Sequence, residues 1–431
     1  MRLVAAVLIF VATYAWLISE KTPRYVVALC GAAAFVLGGF MSLQEALQQV
    51  NWDTIALVFG MFCIVSALAE AGFFEWMGLS VARRLGYSPA KIFFAFPVLA
   101  AALSMVLDNI TVMLFMTALT LEICAYVDTN PVVLIVMEVC AANTGGGATL
   151  LGAPPNIVMG TTLGYGFNQF LAHMALPAWL CTGVLMAVFY ISERVPLSQS
   201  HPHGRDHWDA SSEVEKIKDR GLLKGGLVAL GSALVLMMLH PLFTRLGLPV
   251  SIGLAALVPA LGLLVFLDRH GRQVLKKIDF DTLLFFMGLF VIMGGLRKAE
   301  VFDLVDRKLL QVCGDGGGLM LGILWLAAIL SAFVDNVPMA LSMAYLIQGL
   351  DGLPGAPPQS MLVWSALMGL LLGGNMTPIG ASPNVVAYGI LEERGTRVGW
   401  ARWARMTVPA TLSALAAASA FMWFKWKIGW Y

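Results

Sequence analysis

The chain has 431 residues, of which 59% are hydrophobic and only 12% are charged. A soluble protein of this length could not bury so much apolar surface, so the composition predicts an all-α polytopic membrane protein. The net charge of +1 gives no basis for binding nucleic acid, and six scattered cysteines suggest neither a metal knuckle nor a disulfide framework.

Apolar windows along the chain predict the membrane helices. In the first half they lie at about 3–19, 25–41, 54–70, 92–107, 110–127, 131–146, 157–163 and 174–192. After a polar stretch, a second series lies at about 223–240, 249–268, 280–297, 319–334, 337–350, 359–374, 384–391 and 406–424. The order of the second series matches that of the first.

Sequence similarity between the halves indicates an internal repeat. The segment NWDTIALVFGMF at 51–62 recurs as DFDTLLFFMGLF at 279–290, which aligns Asp53 with Asp281. We therefore predict a first repeat at 1–192, a cytoplasmic linker at 193–222 and a second repeat at 223–431.

An Asp-Asn pair interrupts the apolar sequence once in each half, at 108–109 and at 335–336. The windows flanking the first pair hold roughly 16–18 residues, or about 24–27 Å of helix, against an apolar core of about 30 Å. This length predicts re-entrant hairpins at 92–127 and 319–350 that turn near the middle of the membrane. Limb length alone distinguishes such a hairpin from two short crossings.

Two further matched stretches contain residues that stop a helix. The first, Ala141–Asn156, reads AANTGGGATLLGAPPN, and the second, Gly373–Asn384, reads GGNMTPIGASPN. Glycines permit an unwound backbone, and prolines remove hydrogen-bond donors. We predict broken helices at 131–163 and 359–391, whose half-helix ends face a cavity at mid-membrane. N–H ends suit an anion there, and carbonyl ends suit a cation.

The distribution of the 27 Lys and Arg residues favours an inverted arrangement of the halves. If each hairpin returns to its own side, 19 of these residues fall on one side of the membrane and 8 on the other. If each hairpin crosses once, the counts are 14 and 13. Positive charge normally accumulates in the cytoplasm, so we predict about ten membrane helices plus two hairpins, with both termini on the non-cytoplasmic side.

Acidic side chains within the predicted spans are the main candidates for chemistry. Each aspartate of the two pairs costs about 2.5–3.5 kcal/mol at the centre of a membrane helix, unless it is protonated, paired or close to a cation. Asparagine and backbone carbonyl oxygens beside it suit Na⁺ or a proton. A turn-stabilising hydrogen bond is the alternative role. The predicted ligands of the coupling ion or substrate are Asp108, Asn109, Thr111, Asn143, Gly147, Thr149, Asn156, Asp335, Asn336, Asn375, Thr377 and Asn384.

Glu138 lies on the run that enters the first break, and the corresponding region of the second half has no acid. This asymmetry makes Glu138 a candidate proton carrier. The alternative is a hydrogen bond between helices.

The two Asp-Asn tips and the stretch ATLLGAPPN resemble the ion transporter superfamily over essentially the whole chain. This superfamily includes arsenite pumps, sodium/proton antiporters, divalent-anion/sodium symporters and the P protein. The resemblance implies ten spans, two hairpins, a scaffold beside a moving transport domain, and a homodimer. It also implies two ion sites, one at Asp108, Asn109, Gly147 and Asn156, the other at Asp335, Asn336, Asn375 and Asn384.

These patterns predict a secondary transporter that works by alternating access in the lipid bilayer. Its substrate would be a small ion, either Na⁺ or a small oxyanion or metalloid such as arsenite, coupled to H⁺ or Na⁺. No cofactor is expected beyond a possible Na⁺ at Asp108 or Asp335. The alternatives are a sodium-coupled di- or tricarboxylate symporter, a channel, and a non-transporting membrane scaffold. No nucleophile–base pair or metal motif supports an enzyme.

Overall fold

The structure is a computed structural model that describes residues 2–19, 21–193, 217–267, 269–314 and 316–431. Within these ranges the chain is helical, with no β-strand. The helices before the linker are α1 (Arg2–Ile18), α2 (Arg24–Leu37), α3 (Leu43–Gln49), α4 (Trp52–Glu70), α5 (Phe73–Arg84), α6 (Pro89–Ser104), α7 (Asn109–Tyr126), α8 (Pro131–Gly146), α9 (Pro154–Leu163) and α10 (Phe167–Glu193).

The helices of the second half follow in a corresponding order. They are α11 (Arg220–Arg245), α12 (Ile252–Leu267), α13 (Arg269–Lys276), α14 (Phe280–Lys298), α15 (Val301–Cys313), α16 (Gly317–Ser331), α17 (Asn336–Leu350), α18 (Gln359–Gly373), α19 (Ser382–Glu393) and α20 (Trp400–Ile428). A single 3₁₀ turn, Gly374–Met376, follows α18. Most of the predicted linker, residues 194–216, lies outside the described residues.

Six helices in the described ranges are long and apolar enough to cross a membrane, namely α4, α7, α10, α11, α14 and α20. Six shorter apolar helices accompany them, namely α1, α2, α6, α8, α12 and α16. The all-α polytopic membrane class is therefore confirmed. The number of spans, the inverted orientation of the halves and the re-entrant course of the two hairpins stay predictions.

Helix starts at matching positions of the two halves carry the same kind of cap. The Asn51 side chain accepts a hydrogen bond from the Thr54 N–H at the start of α4, and Asp279 accepts one from the Thr282 N–H at the start of α14. Asp108 and Asp335 cap α7 and α17 in the same way. Since an unsatisfied N–H group at a helix start is costly away from water, these caps fix where each helix begins.

Four short helices, α3, α5, α13 and α15, were not among the predicted elements. The search for apolar windows missed them because they are too short or too polar to register as membrane spans. α5 and α15 occupy matching places in the halves, and so do α3 and α13. Their presence accounts for polar sequence between spans that the windows left unassigned.

Two groups of helices form the body of the protein. In the first group α2 packs on α14, while α4 packs on α12 and α11. In the second group α6 packs on α8, α16 on α18 and α10 on α20. The Thr54 and Thr161 hydroxyls form a hydrogen bond of 2.5 Å that joins α4 of the first group to α9, the helix that follows α8 of the second group.

Close glycine contacts bring each predicted hairpin against its neighbouring broken helix. A Cβ added to Gly145 would lie 2.5 Å from the Cβ of Ala101, and one added to Gly373 would collide with the backbone of Ala328. The two contacts occupy matching places in the halves. α8 and α18 can therefore approach the hairpins this closely only because both positions are glycine.

Replacing Gly373 by alanine is expected to lower the thermal stability of the purified protein by several degrees. The added Cβ meets backbone atoms, which cannot move aside as a flexible side chain can, and such overpacking typically costs about 1–3 kcal/mol. Gly231→Ala is the matched control, because a Cβ there meets nothing within 4 Å. Thermal unfolding in detergent measures both variants, and equal midpoints would contradict the packing argument.

Candidate functional site

Four asparagines from three polar interruptions meet in the protein interior. Asn143, near the end of α8, donates from Nδ2 to Oδ1 of Asn375 at 2.9 Å and to Oδ1 of Asn384 at 2.8 Å. Its own Oδ1 accepts from Nδ2 of Asn109 at 3.0 Å. All four side chains are buried. We call Asn109, Asn143, Asn375 and Asn384 the amide cluster, which links the first hairpin tip and both breaks.

Neighbouring carbonyls fix which way each amide points. Nδ2 of Asn384 donates to the carbonyl oxygens of Gly374 and Thr377, so its Oδ1 faces Asn143. Asn143 must then present Nδ2 to Asn384 and Oδ1 to Asn109. Asn109 consequently donates from its Nδ2 to the cluster, and its Oδ1 takes no part in the cluster's hydrogen bonds.

Among the predicted ligands of the first half, three buried side-chain oxygens have no hydrogen-bond partner within the described residues. They are Oδ2 of Asp108, Oδ1 of Asn109 and Oδ1 of Asn156. Nδ2 of Asn156 donates to the carbonyls of Gly146 and Thr149, which leaves its oxygen unused. We call these atoms the first-half oxygen set. One carboxylate and two amide oxygens are ligands that a hard cation such as Na⁺ prefers.

The three corresponding oxygens of the second half are all engaged. Oδ2 of Asp335 accepts from Nη1 of Arg24 at 2.9 Å and from Oγ of Ser382 at 3.0 Å. Oδ1 of Asn336 accepts from the Ser331 hydroxyl, and Oδ1 of Asn384 accepts from Asn143. The halves therefore share a backbone plan but differ in which oxygens remain available.

Thr149 and Thr377 hold the breaks against the hairpin tips. The Thr149 hydroxyl donates to the carbonyl oxygen of Met105, and the Thr377 hydroxyl donates to that of Ala332 at 2.5 Å. Both threonine hydroxyls are occupied by these hydrogen bonds. The two remaining predicted ligands, Thr111 and Gly147, make other contacts. Thr111 donates its N–H to Asp108, and Gly147 ends α8 against Leu371.

Glu138 lies apart from the amide cluster, on the part of α8 that faces α7. It is fully buried, and its Oε1 accepts from the Thr120 hydroxyl at 2.7 Å. Oε2 has no hydrogen-bond partner in the described part of the chain. The hydrogen bond to Thr120 is the inter-helix contact that the sequence left open as an alternative, and its role as a proton carrier stays a prediction.

Sequence reasoning missed several residues that complete this region. Arg24 was counted only among the positive charges, and Ser382 was not among the predicted ligands. Trp403 was also not predicted, and its Nε1 donates to the carbonyl oxygen of Asn375 at 3.1 Å. One signal was available for Arg24. Its counterpart at a shift of 228 is Ile252, so the basic residue breaks the repeat.

Two adjoining cavities reach this region. The first, of about 430 Å³, is lined by Asp108, Thr111 and Asp279, and by two acids that form ion pairs. Glu70 pairs with Lys277, and Glu75 pairs with Lys218 at 3.5 Å. The second cavity, of about 320 Å³, is lined by Arg24, Asp279, Asp281, Asp335 and Ser382, and also by Pro154. Because Asp279 and Ile110 line both, the two cavities adjoin each other.

Comparison with known proteins gives sequence relatives over the whole chain. A model of the citrate transporter family CitMHS matches residues 14–369. An uncharacterized transporter of Mycobacterium tuberculosis is 34% identical over 99% of both chains. The P protein of Homo sapiens is 26% identical over 97% of this chain and 59% of its own.

Solved structures support the same fold. Neisseria gonorrhoeae MtrF, described as one of a class of antimetabolite efflux pumps, has a TM-score of 0.59 at 14% identity, over 86% of this chain and 80% of its own. The Alcanivorax borkumensis YdaH transporter has a TM-score of 0.54 at 13% identity, over 89% and 88%. At these identities the likeness concerns the fold alone.

Proposed function

This chain belongs to the CitMHS citrate transporter family, and from that membership we propose that it is a secondary active transporter working by alternating access. It is an integral membrane protein related to transporters throughout its length. The finer proposal is that a small ion crosses the membrane together with, or in exchange for, Na⁺ or H⁺.

The first-half oxygen set is the observation that carries this proposal. Oδ2 of Asp108 and the amide oxygens of Asn109 and Asn156 are unpartnered within the described ranges. An aspartate in this position needs a proton or a cation to balance its charge. Asp108 also lines the 430 Å³ cavity, which would admit that ion. We therefore assign the coupling ion to the first half.

The second half supports a different role for Asp335. Its carboxylate already has Arg24 as a charge partner, with side-chain exposures of 16% for Asp335 and 33% for Arg24. The charge of Asp335 is therefore balanced without a bound cation in this conformation. We propose one coupling-ion site at Asp108, and a second-half site that handles the substrate.

The proposed transport function is compatible with two classes of substrate. The first is the small ion predicted from the sequence, Na⁺ or a small oxyanion or metalloid such as arsenite. The second is a di- or tricarboxylate, which the description of the matching family and the presence of Arg24 beside the 320 Å³ cavity both favour. In either case, loading of one site must alter the affinity of the other, and such coupling is typically about 1–3 kcal/mol.

Flux into proteoliposomes tests the proposal. Purified protein is reconstituted, and uptake of Na⁺, arsenite, silicic acid, succinate and citrate is measured at two pH values. Uptake of at least one substrate is expected to saturate, to be stimulated by the same substrate on the opposite side, and to rise about tenfold under an imposed Na⁺ or pH gradient. Tenfold accumulation of the substrate needs about 1.4 kcal/mol, which a tenfold gradient of one coupled monovalent ion supplies.

Other results would contradict transport by alternating access. Flux that rises linearly with concentration and shows no counter-flow stimulation indicates a channel. The absence of any flux above that of protein-free liposomes, for every compound and gradient, favours a scaffold. Liposomes with heat-inactivated protein provide the control for leakage.

A further inference from the structure

The carboxylate of Asp335 accepts hydrogen bonds from three donors. Oδ2 accepts from Nη1 of Arg24 at 2.9 Å and from the hydroxyl of Ser382 at 3.0 Å, while Oδ1 accepts from the N–H of Val337 at 3.1 Å. Nη1 of Arg24 also lies 3.3 Å from the Ser382 hydroxyl, so both donors reach the same point. Guanidinium and hydroxyl donors together are a common arrangement for binding carboxylates.

Arg24 and Ser382 also line a wider cavity of about 580 Å³. Its basic residues are Lys21 and Arg24, and no acid contributes to its lining within the described part of the chain. The same pair also lines the 320 Å³ cavity, whose acidic lining residues are Asp279, Asp281 and Asp335. An anion would therefore reach Arg24 through the basic cavity.

The site around Asp108 lacks both of these donors, although Arg24 itself lies on α2 in the first half and Ser382 lies on α19 in the second. At a shift of 228, Ser382 corresponds to Pro154, and Arg24 corresponds to Ile252. Neither residue has a side-chain hydrogen-bond donor. The donors that surround Asp335 are thus not repeated around Asp108, and this difference separates a cation-binding site at Asp108 from an anion-binding site at Arg24 and Ser382.

We propose that Arg24 and Ser382 bind a carboxylate or similar oxyanion of the transported substrate, which displaces the carboxylate of Asp335 from this place. The inference rests on the proposed transport function and adds the residues that hold the anion. Asp335 acts as a resident competitor, because it satisfies Arg24 and Ser382 when no substrate is present. The ion pair also joins α2 of one helix group to the hairpin tip of the other, so displacement loosens a contact between the groups.

Anion binding to the purified full chain tests this inference. The probes are citrate, succinate and inorganic phosphate, titrated at one pH with ionic strength held constant by choline chloride, and the thermal midpoint is followed. Asp335→Asn keeps a similar shape but removes the competing charge. A charge-assisted hydrogen bond to Arg24 is thereby lost, so at least one probe is expected to bind about tenfold tighter than to wild type.

Variants of the two donors give the complementary result. Arg24→Gln and Ser382→Ala are each expected to weaken binding of that probe, the former about tenfold or more. Lys21→Gln is the matched control, since it removes the same charge from the same cavity, and its affinity is expected to stay within about threefold of wild type. The double variant R24Q/D335N leaves no unpaired charge and is expected to unfold near wild type without binding the probe.

Three results would overturn the inference. In the first, D335N binds every probe no more tightly than wild type does. In the second, R24Q/D335N keeps the affinity of D335N. In the third, none of the three anions stabilises either wild type or D335N. If driven flux is present in these cases, the transport function stands without this anion site. If D335N binds an anion but the wild-type protein shows no flux in liposomes, the site stands and the transport function fails.

Discussion

Asp108→Asn is expected to reduce cation-driven flux about 100-fold while the protein still folds. The variant removes the only charged member of the first-half oxygen set. Losing a charge-assisted contact of about 3 kcal/mol weakens ion binding by about two orders of magnitude. Folding is preserved because asparagine caps a helix as well as aspartate does, and it can still accept from the N–H of Thr111.

The measurement is initial uptake in proteoliposomes under the gradient that drives the wild-type protein. Asp128→Asn is the matched control, since Asp128 is an exposed aspartate just beyond the other end of α7. Its backbone φ of 52° is one that asparagine adopts readily, so the change is not expected to strain the turn. Flux within threefold of wild type in Asp108→Asn would defeat the assignment of the coupling ion.

Asp335→Asn is also expected to abolish driven flux, but by a different route. Asp108→Asn weakens binding of the cation, whereas Asp335→Asn retains the anion on Arg24 and Ser382 too tightly for rapid release. The two variants therefore separate in a binding assay, in which only Asp335→Asn shows raised anion affinity. Equal behaviour of the two variants in binding would indicate two equivalent cation sites, as the repeat alone predicts.

Asn143→Ala is expected to destabilise the protein by about 3 kcal/mol or more. Asn143 makes three hydrogen bonds in the amide cluster, and its loss leaves buried groups on Asn109, Asn375 and Asn384 without that partner. Each buried polar group left unsatisfied costs about 1–3 kcal/mol. Because these bonds join the first hairpin tip to both breaks, the loss concerns the contact between the repeats.

Unfolding in mixed micelles, followed by circular dichroism, measures this change. Asn168→Ala is the control, because Asn168 is partly exposed and makes one hydrogen bond, to the carbonyl oxygen of Met238. Its stability is expected to stay within about 1 kcal/mol of wild type. An Asn143→Ala protein as stable as Asn168→Ala would show that the amide cluster does not hold the halves together.

Many features of the fold were predictable from the sequence because their causes are local. Clusters of glycine and proline stop helices, so the breaks after Gly146 and Gly373 could be located from the sequence, whereas single prolines such as Pro97 and Pro177 lie inside helices. The hairpin limbs were predicted within a few residues of α6, α7, α16 and α17. The short helices α3, α5, α13 and α15 were missed, since their apolar content is too small to produce a window.

The sequence by itself determined the all-α membrane class and the positions of the polar interruptions, and it predicted the repeat, because apolar periodicity and helix-stopping residues act on adjacent residues. Only the tertiary structure decided which of the repeated oxygens remain available. Arg24 reaches Asp335 across 311 positions of the chain, and Asn143 reaches Asn384 across 241. The local sequence pattern is the same in both halves. Which distant residue forms a hydrogen bond with each repeated oxygen depends on how the helices pack. Packing therefore makes the two similar halves chemically different.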